Sequence, residues 1–421
     1  MEMNAHIGYG ELLKTNKSFR KLFIADWISY LGDWFSVIAM FILASNESDG
    51  SPLAIAMVLV CRMLGIALTD PFTGMLADRF SRKKLLIVAN LSAIVVILFS
   101  VNFELLNNLT NLYIFAFLLM FCRAIYDPAH FAYLPNITDE NELLTANALS
   151  SMSWSAALGF GAALGGFVIA EFGVTTGLLI DSSTFVLAVL LIMTLPEGGP
   201  TKDTKKSRNH GVFSDIRNGL QIVINTPQIR RIITAKGLWA VGGGAQVFLL
   251  ILIGAEAGFS SVAAGVGVLY MARGFGSGSG PIIGRYLWPD KSSWPSLIGP
   301  LVGLSGLFYI IISQIEWTMI LLPLIFISHG ASGANWVFSN TMIQQRSDDS
   351  WLGRASGFDS LIMSTTFALS VLFSALILEF EYASLRETIF ITGILQITAG
   401  ILWNIFGLPA ENEWIKSQTP N

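Results

Sequence analysis

Between Lys84 and Glu104 the chain carries no charged side chain, LLIVANLSAIVVILFSVNF, and runs of this kind recur along its whole course. A helix needs about 20 apolar residues to cross the hydrocarbon core of a bilayer, where every backbone N–H and C=O must be satisfied within the segment itself. That requirement confines each run to a helix. Twelve spans are expected, the first six at Phe19 to Leu43, Pro52 to Ala77, Lys83 to Phe103, Leu112 to Leu134, Leu144 to Ala170 and Thr175 to Leu195. The second six are Ile229 to Gly254, Val262 to Leu287, Trp294 to Ser313, Met319 to Met342, Phe358 to Leu378 and Ile389 to Leu408. Only 13% of the residues are charged and the mean hydropathy is +0.61, whereas soluble domains carry about a quarter of their residues as charges. The fold class is an all-α polytopic membrane protein of twelve transmembrane helices in two six-helix bundles, residues 1–195 and 229–421.

Residues 196–228 separate the bundles. PEGGPTKDTKKSRNHG, Pro196 to Gly211, is too rich in Gly, Pro and Lys to span, and a short amphipathic helix is expected at Phe213 to Ile224. Of 25 Lys and Arg residues, Arg62, Arg123, Lys236 and Arg273 sit in spans and Arg386 in an opposite loop, leaving 20 on the side of the termini and the central linker. Translocating basic residues is costly, so this bias places both termini in the cytoplasm of a cell membrane, most simply the inner membrane of a bacterium. The first apolar segment is too long for a cleavable signal, and Cys61 and Cys122 lie in apolar runs as buried thiols rather than a disulfide.

The halves resemble one another at an offset of about 210 residues. ADWISYLGDWFSVIAMFIL from Ala25 aligns with AKGLWAVGGGAQVFLLILI from Ala235, placing Gly32 over Gly242, and DENELLTAN from Asp139 aligns with DDSWLGRAS from Asp348. A duplicated six-helix unit is the plan of transporters that hold substrate between two repeats near the midplane.

GMLADRFSRKK, Gly74 to Lys84, places five charges in the seven positions from Asp78 to Lys84. It resembles the loop signature between helices 2 and 3 of the major facilitator superfamily, with Gly74, Leu76, Ala77, Asp78, Arg79, Arg82, Lys83 and Lys84 matching and Ser81 replacing a Gly. The resemblance implies the major facilitator fold and a gating role for Gly74, Asp78, Arg79 and Arg82. AALGFGAALGG in helix 5 is similar to the superfamily's antiporter motif at Ala157, Gly161, Ala162, Gly165 and Gly166, and close helix packing explains the same residues. Phe19 to Met40, Tyr126 to Leu149, Asp181 to Leu191 and Gln344 to Gly357 all resemble the branch containing macrolide efflux and enterobactin exporters.

The spans carry Asp26, Asp33, Arg62, Asp70, Arg123, Asp127, Asp181, Lys236, Arg273, Asp359 and His329. At about 3 kcal/mol for each central charge, these side chains must pair or line a wet cavity. Asp26 and Asp33 are seven residues apart and so share a helix face about 10 Å from each other. Trp27 and Trp34 repeat that spacing one step round, offering aromatic surface to an amphipathic or cationic ligand. Asp33 is the leading proton or cation carrier, Asp26 is a second, and Arg123 with Asp127 completes the coupling set. A salt bridge from the acids to Arg62 or Arg123 that merely joins helices is the alternative. Arg62, Asp181, Lys236, Arg273, His329 and Asp359, with the two Trp, are candidates to line the substrate cavity. Asp127-Pro128 is expected to break helix 4, and Gly242 to Gly244 to bend or unwind helix 7.

These features describe a secondary transporter working by alternating access, with proton-coupled export of a drug-like or siderophore-like amphiphile leading. A lysophospholipid transporter, similar in its Gly32-Asp33 and Pro128-Ala129, is the alternative, as is an importer of a small metabolite or metal chelate. Its partners are the small molecule, a proton or other cation and the lipid bilayer. Nucleic acid is not among them, and the chain is expected to act as a monomer. No Walker A loop, His-Glu-x-x-His or Gly-x-Ser-x-Gly is present, so neither an enzyme, a cofactor nor a resident metal is implied. Asp33 with His329 is the pair to test if metal transport were suspected.

Overall fold

The computed structural model describes residues 7–198, 217, 220–221, 223–347 and 352–418. A short amphipathic helix, α1 (Tyr9–Thr15), leads into the long helices α2 (Lys17–Asn46), α3 (Pro52–Arg79), α4 (Arg82–Asn102), α5 (Leu109–Ile137), α6 (Glu140–Phe172) and α7 (Val174–Met193). The second set is α8 (Pro227–Glu256), α9 (Val262–Leu287), α10 (Trp294–Gln314), α11 (Leu321–Arg346), α12 (Leu352–Glu379) and α13 (Leu385–Leu402), followed after a π-helical turn by α14 (Leu408–Gln418). Among the described residues eleven helices are long and apolar enough to cross a membrane. The remaining expected span, α9, forms a helix of 26 residues, but it is not among those eleven, being rich in Gly and carrying Arg273. Most of the linker and of the expected amphipathic helix at 213–224 lies outside the described residues, as do residues 348–351 of the second repeat segment.

Local signals set the helix starts. Asn16 accepts from the Phe19 N–H at 2.9 Å to open α2, and Ser51 accepts from the Ala54 N–H at 3.1 Å ahead of Pro52 in α3. Ser81, the departure from the loop signature, is the N-cap of α4 and accepts from the Lys84 N–H. The turn is held where Arg82 donates to the Ala132 carbonyl at 2.8 Å and to Asn136 at 2.9 Å, and Lys83 donates to the Leu195 carbonyl at 2.7 Å. The break expected at Pro128 is absent, and so is the unwinding expected at Gly242 to Gly244. α5 runs unbroken through Pro128 and Pro135, and α8 is continuous across its three glycines. Neighbouring helices support such backbone within a bundle, and the glycines serve close approach instead.

The helices run back and forth between two faces. The face where α2 begins and α13 ends is here the terminal face, and its opposite the far face. α2 packs on α6 and α7, α3 on α5, and α4 on α5 and α7. In the second set α9 packs on α11, α10 on α13, and α8 on α12. The two sets meet chiefly through α6 against α9 and α3 against α12.

Glycines make the close approaches. A Cβ at Gly32 would lie 2.0 Å from Thr184 Oγ1 and 2.7 Å from Asp181 Oδ1 of α7, and one at Gly242 would lie 2.5 Å from Gln396 Cγ of α13. The glycines paired by the internal repeat thus occupy matching helix contacts. In the helix 5 motif, Gly161 and Gly165 face α2, whereas Gly166 faces the backbone of Ala263 and Gly267 in α9.

The apolar core differs between the two faces. At the far face one continuous cluster joins both sets, including Phe41, Ile97 and Phe115 with Phe248, Leu269 and Ile325. At the terminal face there are two separate clusters, one around Leu22, Leu86 and Tyr133 and the other around Ile232, Ile298 and Phe338. Among the described residues the apolar core is therefore continuous between the sets at the far face and divided at the terminal face.

Candidate functional site

The embedded charges collect at the level where the two cores part. On α5, Arg123, Tyr126, Asp127 and His130 recur at three- and four-residue intervals and so share one helical face. Arg123 Nε lies 2.8 Å from Asp127 Oδ1 and its NH1 donates to Asp33 Oδ2 at 3.1 Å. Beneath the guanidinium lies the Tyr30 ring, 4.2 Å from Cζ to centroid. The Arg123 side chain is 16% exposed, that of Asp33 33% and that of Asp127 53%, so neither carboxylate is enclosed by the protein as Asp26 is, although Asp33 sits midway along α2.

Asp26 occupies a different environment. It is 1% exposed, accepts from the Tyr126 hydroxyl at 2.5 Å and meets His130 Nε2 at 2.7 Å. Asp181 is fully buried and accepts from Ser36 and, at 3.4 Å, from Thr184. Arg62 of α3 makes no ion pair among the described residues, but it lies within electrostatic reach of Asp33, Asp181, Arg123 and Tyr270.

In the second set Lys236 is 1% exposed and paired with Asp359. It also donates to Asn340 at 2.7 Å and stands 4.5 Å from the Trp336 ring centroid. His329 Nε2 is 3.0 Å from the Tyr309 hydroxyl, which in turn donates to the Gln246 carbonyl at 3.2 Å. Ser305 bonds Ser328 and Ser332, each at 3.0 Å, and extends this network. Arg273 stacks over Tyr270 at 5.4 Å, and its Nε is buried without a partner.

Aromatic rings line the junction of the sets. Trp34 tilts against Tyr270 at 5.6 Å, Trp27 against Phe160 at 6.1 Å, and Phe160 meets Phe275 edge-on at 4.9 Å. The predicted residues thus form two groups. Asp33, Arg123, Asp127 and Arg62 stand with Trp34 and Arg273 around the junction, whereas Lys236 with Asp359 and Asp26 with His130 are closed buried pairs. The side chains of Gly74, Asp78, Arg79 and Asp70 lie outside the described residues. Sequence reading missed His130, Tyr30, Tyr126, Tyr270 and Tyr309. The α5 spacing points to Tyr126 and His130, and nothing in the sequence points to the others.

One cross-contact seals the far face. Glu379, at the end of α12, accepts from the Ser51 hydroxyl at 2.7 Å and from the Leu53 N–H at 3.2 Å, placing a carboxylate on the N-terminus of α3. Beside it a shallow cleft lined by Ser45, Pro52, Ile55, Leu252, Glu256 and Leu378 opens outward and contains none of the embedded pairs.

The family model of the Major Facilitator Superfamily matches residues 22–371. The chain is 26% identical over 217 residues to the uncharacterized MFS-type transporter YfiS of Bacillus subtilis (strain 168), covering 51% of each chain. It is 24% identical over 242 residues to the lysophospholipid transporter LplT of Yersinia pestis (strain Pestoides F), covering 56% of each. The chain thus spans about half the length of the curated relatives it matches. Among solved structures, a bacterial homolog of the human lysosomal transporter Spinster, inward-facing and unoccupied, aligns with a TM-score of 0.72 and 14% identity over 96% of this chain and 99% of that one. The POT family transporter PepTSo aligns with a TM-score of 0.74 and 11% identity over 96% and 99%.

Proposed function

This chain belongs to the Major Facilitator Superfamily, and from that premise we propose that it exports an amphipathic small molecule by proton-coupled alternating access. Membership makes it a multi-pass membrane transporter and not an enzyme. In the proposed cycle residues 1–195 and 229–421 rock as two bodies around a site between them, opening the terminal and far faces in turn. The bias of basic residues supports a cytoplasmic terminal face, and in this reading the divided part of the core lies on the cytoplasmic side.

The observation that carries the reading is Arg123 held between two partly exposed carboxylates, Asp33 and Asp127. A proton on Asp33 cancels one of the two attractions on Arg123 and leaves the guanidinium to Asp127 alone. Rocking of the two bodies changes the access of water to Asp33, and with it the affinity for that proton, as coupling requires. The aromatic junction of Trp27, Trp34, Phe160 and Phe275 suits an amphiphile, and resemblance to the macrolide and enterobactin exporters supports export. Asp78 and Arg79 take the gating role that their loop signature implies.

The test is transport by the full chain in proteoliposomes. Asp33→Asn is expected to lower dye transport driven by a pH gradient by about tenfold or more while leaving counterflow without a gradient intact. Full gradient-driven transport by this variant would overturn the coupling assignment. A second reading, a lysophospholipid transporter, is favoured by the similarity to LplT. Movement of labelled lysolipid, with dye left unmoved, would select it.

A further inference from the structure

Of the four Lys and Arg side chains placed within the spans, two have acidic partners and two do not, and of the two embedded histidines only His130 meets an acid. Arg123 has Asp33 and Asp127, Lys236 has Asp359, and His130 has Asp26. Among the described residues Arg62 and Arg273 make neither an ion pair nor a hydrogen bond through the guanidinium, and Arg273 Nε is buried without a partner. Arg62 lies on α3 of the first set and Arg273 on α9 of the second, and both are within electrostatic reach of Tyr270.

Arg273 is the less compensated. The groups around it are Tyr270, Tyr309 and His329, none of them a carboxylate. Their polar atoms are already engaged, since Tyr270 donates to the Val247 carbonyl at 2.8 Å and Tyr309 to the Gln246 carbonyl while meeting His329. Arg62 does have Asp33 and Asp181 nearby, but Asp33 is bound to Arg123 and Asp181 to Ser36 and Thr184. An embedded guanidinium without a counter-ion is costly to hold. Its planar fork matches an oxyanion in two parallel hydrogen bonds. Next to it, Trp34 and Tyr270, and further on Trp27, Phe160 and Phe275, offer an apolar wall for a hydrocarbon tail.

We propose that Arg273 forms a binding site for the anionic head of an amphiphile, a phosphate or carboxylate carried on an alkyl tail, with Arg62 of the first set adding positive charge. This rests on the transporter reading above and sharpens it, because it rejects cationic amphiphiles as the preferred cargo.

Binding to the full chain in nanodiscs of phosphatidylcholine, read by tryptophan fluorescence, tests it with hexyl phosphate, hexanoate, hexyltrimethylammonium and inorganic phosphate. The two anionic amphiphiles are expected to bind about tenfold or more tightly than the cationic one. Hexyl phosphate against hexanoate tells which oxyanion the site favours, and either order supports the site. Arg273→Gln should lose that preference and leave the cationic probe unchanged. Arg62→Gln should lose part of it, and Arg273→Lys, which keeps the charge without the fork, should restore part. A merely structural Arg273 would predict a lower melting temperature for Arg273→Gln and no change in the preference. Equal binding of anionic and cationic probes, or an unchanged preference in Arg273→Gln, overturns the proposal. Inorganic phosphate binding as tightly as hexyl phosphate overturns the amphiphile assignment. Gradient-driven dye transport that Asp33→Asn abolishes, together with no anion preference, overturns this site alone. Anion preference lost in Arg273→Gln, without any counterflow, supports the site and overturns the carrier reading.

Discussion

The two halves bury charges of opposite sign at the same register. Asp26 of α2 corresponds to Lys236 of α8, Tyr126 to Trp336 and His130 to Asn340, each pair 210 residues apart. In the first half an acid sits between Tyr126 and His130, and in the second a base sits between Trp336 and Asn340 and adds Asp359. The repeated backbone fixes where a polar group can be buried, while its sign is left to the individual side chains. The coupling set has no such counterpart, because Asp33 corresponds to Gly243 and Arg123 to Gly333. A Cβ at Gly333 would lie 2.3 Å from the Ser277 carbonyl oxygen, and one at Gly243 would lie 2.9 Å from the Trp239 ring. Close packing occupies in the second half the space that the first half gives to an ion pair.

The comparison breaks most readily at Lys236. Lys236→Met strands Asp359 in a buried site and is expected to cost about 3–5 kcal/mol of stability, read as a fall in the melting temperature of the purified protein. Adding Asp359→Leu should recover most of it, and a neutral single variant would show that the pair is not what holds α8 to α12. Asp26→Asn should cost less, about 1.5–3 kcal/mol, because His130 can release its proton and stay neutral beside the amide. Equal losses at both sites would erase the distinction drawn between the halves.

Smaller effects sharpen it. Gly32→Ala and Gly242→Ala each push a methyl group into a helix contact and should cost about 1–3 kcal/mol. The Gly32 variant should be the worse, because its Cβ meets both Thr184 and Asp181. Glu379→Gln removes a charged cap from α3 at an exposed position and is expected to cost about 0.5–1 kcal/mol. Its readout is a modest rise in labelling of a cysteine placed behind the far-face seal.

Much of this architecture was legible in the apolar runs, since length and the lack of charge leave a helix as the only answer. What the runs could not convey is how helices tolerate local insults. Pro128 and the three glycines of α8 look like breaks in one dimension, and in three they are supported by neighbours that lie far off in sequence. The embedded charges were equally plain, because each is costly where it stands. Their pairing was not, since Lys236 finds Asp359 across 123 residues and Ser51 finds Glu379 across 328. Tyr30 and Tyr270 were overlooked for a different reason. A tyrosine in an apolar run reads as ordinary core, and only the guanidinium lying on its ring shows otherwise.

The shared cluster at the far face has a kinetic meaning. In the proposed cycle the cluster that Phe41 and Phe115 share with Phe248 and Leu269 parts and rejoins on every turnover. Aliphatic and aromatic surfaces have no preferred bonding direction, so this zipper can slide apart in small steps with no single strong bond to snap. Glu379 on the end of α3 is the exception, a catch that either holds or lets go. Throughput would then be governed by a soft adhesive with one clasp, a division that lets the clasp evolve toward faster or slower opening while the adhesive keeps ions from leaking through.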